Sequence, residues 1–192
     1  MHMRARVKGV LENPTWEQVV EREPLIAFSF YLNGRIQTLL AIADEIIDDL
    51  DEGISETFVD GSRLERADTM MWLWTLGAYE VVRTMCQAKS CFSDRAYNNL
   101  ALLKKSLSTI RVPAAKMEKP GKIIPVNSNR SPSGLDVLNR DLLLGDPEST
   151  SIISARSILT EFDKVIASIT KDDVLGHHEA SYSERHRKNS LI

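Results

Sequence analysis

Sulfur and turn-forming residues are scarce in this chain. Two cysteines, Cys86 and Cys91, occur among 192 residues, too few for a disulfide framework. Their spacing with the histidines is not that of metal ligands, so reduced, interior thiols are expected. Nine glycines and seven prolines exclude collagen-like and low-complexity classes. Uncharged, mostly apolar runs such as Met70 to Tyr79 are about half of what a membrane-spanning helix needs, so no membrane association is expected. The net charge is −3, which excludes polyanion binding through bulk basicity. The chain has no Gly-rich phosphate loop, since Gly121-Lys122 lacks the earlier glycine and the following Ser or Thr. It has neither a Gly-x-Ser-x-Gly elbow nor a Cys-x-x-Cys pair. Met1 to Lys8 carries no apolar stretch, so no secretory signal is expected and a cytoplasmic location is.

Helical periodicity is abundant. Pro14 sits just inside the start of a short first helix, where its missing N–H costs nothing. Leu25, Phe28, Leu32, Ile36, Leu39, Ala43, Ile46, Ile47 and Leu50 recur at steps of three and four, predicting one helix from Leu25 to Glu52 that stops at Gly53. Ser62 and Glu65 form a capping-box pattern for a third helix reaching Ala88. Ser93 and Asp94 open a fourth, with Ala96, Leu100, Leu103, Leu107 and Ile110 inward and Pro113 ending it. From Ala114 to about residue 150 the composition turns to Pro, Gly, Ser and Asn, and Lys122–Val126 and Asp141–Leu144 are candidate strands of a hairpin-like insertion. Ser151 or Ser154 then caps a last helix bearing Ile158, Phe162, Val165, Ile166 and Ile169. The expected architecture is mainly α: a four-to-five-helix bundle with a short irregular or β-hairpin-like insertion before the last helix. Residues 1–175 form one domain and 176–192 a polar, mobile tail containing His177 and His178.

Seven acids and no base lie between Asp44 and Glu56. Glu45-x-x-Asp48 and Glu65-x-x-Asp68 are paired acids on successive helices, and carboxylate oxygens suit Mg²⁺. The spacing resembles that of the all-α nucleoside triphosphate pyrophosphohydrolases, which implies an alternative reading as a metal-dependent hydrolase on those four residues. At about 100° per residue, however, Glu45, Asp48 and Glu52 fall opposite the apolar arc, with Asp44 and Asp51 at its margin. A solvated acidic face is the first expectation, with no metal.

The third helix is apolar nearly all round. Leu64, Ala67, Met71, Trp74, Ala78, Val82 and Met85 make one face. Trp72, Leu73 and Leu76 make the other, together with Glu80 and Arg83. Such a helix is central in the bundle, or its second face meets another subunit. Glu80 and Arg83, one turn apart, can form an ion pair that fixes packing, or Glu80 can orient Arg83 toward a phosphate.

The string from Trp72 to Thr84, WLWTLGAYEVVRT, followed by Arg111-Val112-Pro113-Ala114-Ala115-Lys116, resembles uncharacterised bacterial helical proteins related to the HEPN superfamily. That resemblance implies a small helical bundle, a homodimer and a role in defence or RNA-processing systems. Catalytic members carry an Arg and a His a few residues apart on a late helix. This chain has no such pair, so the resemblance carries over the fold and the dimer but not ribonuclease activity. Between Lys104 and Arg130, seven bases face one acid. Phosphate contact without base reading suits such a run, and no aromatic side chain is interleaved for stacking. The phosphate-binding candidates are Glu80, Arg83, Lys104, Lys105, Arg111 and Lys116. The reading is a non-catalytic binding or regulatory protein that contacts RNA or nucleotide phosphates.

Overall fold

A computed structural model describes residues 12–55, 57–150 and 152–179 of the chain. Helix α1 spans Trp16–Arg22 and α2 spans Leu25–Phe28. Three long helices follow: α3 (Phe30–Gly53), α4 (Gly61–Gln87) and α5 (Asp94–Lys116). A small sheet, β1 (Ser133–Asp136), β2 (Asp141–Leu144) and β3 (Ile153–Ser154), leads into α6 (Ala155–Ser168). The molecule is thus a mainly α bundle with a three-stranded antiparallel insertion before its last helix, in strand order β1-β2-β3.

The apolar spacing explains the packing. Helix α4 lies between α3 and α5, and α6 closes the bundle against α5 and α3. Trp74 is fully buried at the centre. Its Nε1 donates to the Leu39 carbonyl at 3.0 Å, and its ring meets Phe162 edge-on at 5.2 Å. Filling the interior with such side chains stabilises by about 1.5–3 kcal/mol each. Gly77 permits the close approach of α3, since a Cβ there would lie 3.1 Å from a Leu39 methyl.

Several boundaries differ from the periodicity. The helix expected from Leu25 breaks at Ser29, whose backbone is extended and whose hydroxyl accepts from Leu32 N. A local cap outweighs one more helical turn there. The N-cap of α4 is Asp60 and not the Ser62/Glu65 box: its carboxylate accepts from Ser62 N at 3.0 Å and Arg63 N at 3.3 Å. The Arg63 N–H above all holds the Asp60 carboxyl below its ordinary range. Helix α5 runs through Pro113, which is buried, and ends at Lys116 with Met117 left-handed. Lys122–Val126 is not a strand. Only Pro125 forms an isolated bridge, to Glu118. Asp141–Leu144 is a strand, and Leu142 and Leu144 enter the core.

The insertion is fastened to α6. Ser154, not Ser151, caps that helix, accepting from Ser157 N at 3.1 Å. Asp141 is buried and accepts from Arg156 N at 3.2 Å and from the Ser154 hydroxyl. A carboxylate at a helix N-terminus is favoured by the exposed N–H dipoles. Arg156 in turn bonds Asp51 at 2.6 Å, tying this end to α3.

The ordered chain continues past residue 175. Val174 pairs with Phe92, the Cys91 thiol donates to the His177 carbonyl at 3.2 Å, and the His178 ring lies edge-on to Phe28 at 5.3 Å. Of the expected tail, His177 and His178 thus lie against the bundle. The rest of that tail lies outside the described residues. Cys86 and Cys91 are buried and form no disulfide, and burial pushes the Cys86 thiol up.

Candidate functional site

Two surfaces concentrate the chemistry. The first is a cleft of about 200 Å³ between α4, α5 and the sheet. Asp68, Met71, Trp72 and Thr75 form its α4 wall, at successive steps of three, one and three residues that share one helical face. Ile110 and Ala114 contribute from α5 and Met117 from just past its end, and Ser131–Ser133 with Leu144 and Gly145 come from the insertion. The indole N–H of Trp72 donates to the Ala114 carbonyl at 3.2 Å, which fixes the ring against α5. On the sheet side, Gly145 has φ 124°, a conformation that L side chains rarely adopt. Its N–H donates to the Pro132 carbonyl at 2.9 Å, which holds the loop over the cleft.

The polar groups in this cleft are notable for what they do not bond. Thr38, Thr84 and Thr109 donate to carbonyls one turn back, at 3.0, 2.9 and 3.2 Å. Thr75 is only 3 % exposed and makes no such bond among the described residues, yet its oxygen is not one of the buried atoms left unpaired; it stays open to the cleft that Thr75 lines. Asp68, partly buried on the same face, also has no partner among the described residues.

The second surface is the outward side of α5 with the adjoining edge of α4. Relative to the buried Leu100, Leu103 and Leu107, a rotation of about 100° per residue places Lys105 and Lys116 directly outward. They stand about 16 Å apart along the axis, and neither has an acid partner among the described residues. Lys104 and Arg111 lie on the flank facing α4. Lys104 is near enough to Cys86 to act on its thiol. The Arg111 guanidinium stacks over the Tyr79 ring at 4.9 Å and its Nη2 is 4.0 Å from Glu80, while its buried Nε has no partner. Arg83 pairs with Glu80 at 2.8 Å, and both are exposed. Glu80 thus stands between two arginines on open surface, not within a buried pair. The other bases of the stretch are dispersed, and Lys119 bonds Glu148 of the insertion at 2.9 Å.

The acidic run is less acidic than its sequence suggests. Asp49 is 0 % exposed and accepts from Arg63 at 3.1 Å and from Arg66 through two nitrogens. Arg63 also reaches Glu52 at 2.6 Å, and Arg156 reaches Asp51 at 2.6 Å. Asp44 is buried rather than marginal. The three bases that pair with Asp49, Asp51 and Glu52 come from α4 and α6, so no local window of sequence contains these ion pairs. Of the four acids weighed for Mg²⁺, Glu45 and Glu65 are exposed, Asp48 is partly buried and Asp68 faces the cleft. Among the described residues, no three His, Cys, Asp or Glu side chains gather as a metal ion requires.

The second face of α4 is open: Trp72 is 46 % and Leu73 53 % exposed. Among the described residues, no helix is long and apolar enough to cross a membrane. The fold and these surfaces define a mainly α bundle with a small-sheet insertion, a cleft and a basic helix face. No protein-family model, curated protein or solved structure matches the chain.

Proposed function

We propose that this chain is a non-catalytic binding or regulatory bundle, HEPN-like in its architecture, that contacts RNA or nucleotide phosphates through α5. The observation that carries the reading is the pair Lys105 and Lys116, aligned on the outward face and without acid partners among the described residues. Lysines held this way can neutralise phosphates without a gain from any particular base. Arg111 and Arg83 flank them, Arg83 paired with Glu80 and Arg111 stacked on Tyr79. The proposal includes a cytoplasmic homodimer through α4, supported by the exposure of Trp72 and Leu73 on one face.

The test is fluorescence anisotropy of a short labelled single-stranded RNA at low and moderate salt without Mg²⁺. Binding should weaken steeply as salt rises. Replacing Lys105 and Lys116 by Ala should lower the slope of log K against log salt by about 0.7 per lost phosphate contact. No binding at low salt, or an unchanged slope in the double variant, overturns the phosphate reading. Sedimentation of the wild type and of Leu73→Glu tests the dimer separately.

A further inference from the structure

We propose that the cleft between α4, α5 and the sheet is a binding site for a compact organic amine, with Asp68 as its counter-ion. The charge pattern points to that class. Asp68 is the one acidic or basic side chain lining the cleft, so the site offers a phosphate or carboxylate ligand no counter-charge. The carboxylate has no partner among the described residues. One turn further along the helix stands Trp72, whose ring face attracts a cation. At the next turn Thr75, only 3 % exposed, lines the cleft, and its hydroxyl offers a second polar contact. Carboxylate, indole and hydroxyl therefore form one line along α4. Met71 and Met117 supply adaptable apolar walls.

Size narrows the ligand further. At about 200 Å³ the cleft is smaller than the roughly 300–1,000 Å³ of drug-sized sites. A single ring with a short amine-bearing arm fits that space. A single carboxylate among hydroxyls and apolar side chains is also a poor cage for a hard metal cation, which favours several charged oxygen ligands. The site is independent of the basic α5 face and selects the opposite charge, so either reading can fail without the other.

Calorimetric titration of the full chain with phenethylamine, 2-phenylethanol and phenylacetate tests the inference. The three probes share a ring and differ in the charge of the arm. Phenethylamine should bind at least tenfold more tightly than the alcohol, and phenylacetate should not bind. Asp68→Asn should weaken the amine at least tenfold and change the alcohol less than about twofold. Ser131→Trp, at an exposed position on the rim, should block both. A second measurement needs no variant: with methionine methyl groups labelled for NMR, phenethylamine should shift Met71 and Met117 and leave the other methionines unmoved. Equal affinity for amine and acid, amine binding that survives Asp68→Asn unchanged, absence of amine binding at millimolar concentration, or shifts confined to other methionines overturns the proposal.

Discussion

Replacing Asp173 by asparagine should cost stability in a way that disappears in acid. Asp173 is 4 % exposed. Its carboxylate accepts from Thr170 N and Thr170 Oγ1, each at 2.9 Å, from Ser93 Oγ at 2.5 Å and from Arg95. Burial works to raise this carboxyl, but the combined hydrogen bonds from Ser93, Thr170 and Arg95 outweigh it and hold it at about 2, against an ordinary 3.8. A folded-state value below the unfolded one means that the contribution is complete above about pH 4 and is lost as pH falls toward 2. At about 1.4 kcal/mol per pH unit, that interval amounts to about 2.5 kcal/mol, with roughly half gone by pH 3. Asparagine keeps the shape but brings two N–H donors into a ring of donors. Urea unfolding of wild type and Asp173→Asn should therefore differ by about 2 kcal/mol at pH 7 and by about half that at pH 3. The other carboxyls titrate equally in both proteins, so the difference isolates this one. Curves that stay parallel between pH 7 and pH 3 would refute the reasoning.

The buried Asp49 makes an asymmetric prediction. Arg66→Met leaves a 0 % exposed carboxylate short of a bidentate partner and should cost about 2–3 kcal/mol. Asp49→Ala leaves arginines that already reach water and should cost less; the reverse order in urea midpoints would refute the account. At the other end of the bundle, Asp141→Ala removes the acceptor for Arg156 N and the Ser154 hydroxyl and should cost about 1–2 kcal/mol. Hydrogen exchange should then accelerate at the first turn of α6 before anywhere else, and uniform acceleration would show that this carboxylate does not hold the helix end.

The bundle was legible because burial and periodicity coincide. Leu32, Ile36, Leu39, Ala43, Ile46 and Leu50 repeat at the helical period and are buried. The same rule failed at Ser29, where a short polar side chain competes with the helix for its own backbone. It failed again at Asp60, because Asp60, Ser62 and their neighbours offer rival caps within three residues, and a carboxylate that takes two N–H groups wins. Lys122–Val126 carries strand-like composition, yet Ile123 and Ile124 are exposed. Among the described residues no strand pairs with them to convert propensity into a ladder. The arginines that neutralise Asp49 and Asp51 are distant in sequence and could be assigned only once α3, α4 and α6 were placed.

The cleft was half visible, and the reason is instructive. Asp68, Met71, Trp72 and Thr75 share a helical face at a spacing that can be read directly from the chain. A polar residue at the edge of the apolar arc of α4 is itself a signal, because a hydroxyl is placed there at a cost unless it meets a polar partner or water. Sorting residues by type hid that signal. By type, Asp68 groups with the acids and Trp72 with the apolar packing residues, and Thr75 with neither. The other half of the cleft comes from Ser131–Ser133 and Gly145, in a segment without periodicity whose position depends on Asp141 gripping α6. Local sequence could thus supply the wall with the chemistry. The wall that encloses it depends on contacts between segments far apart in the chain.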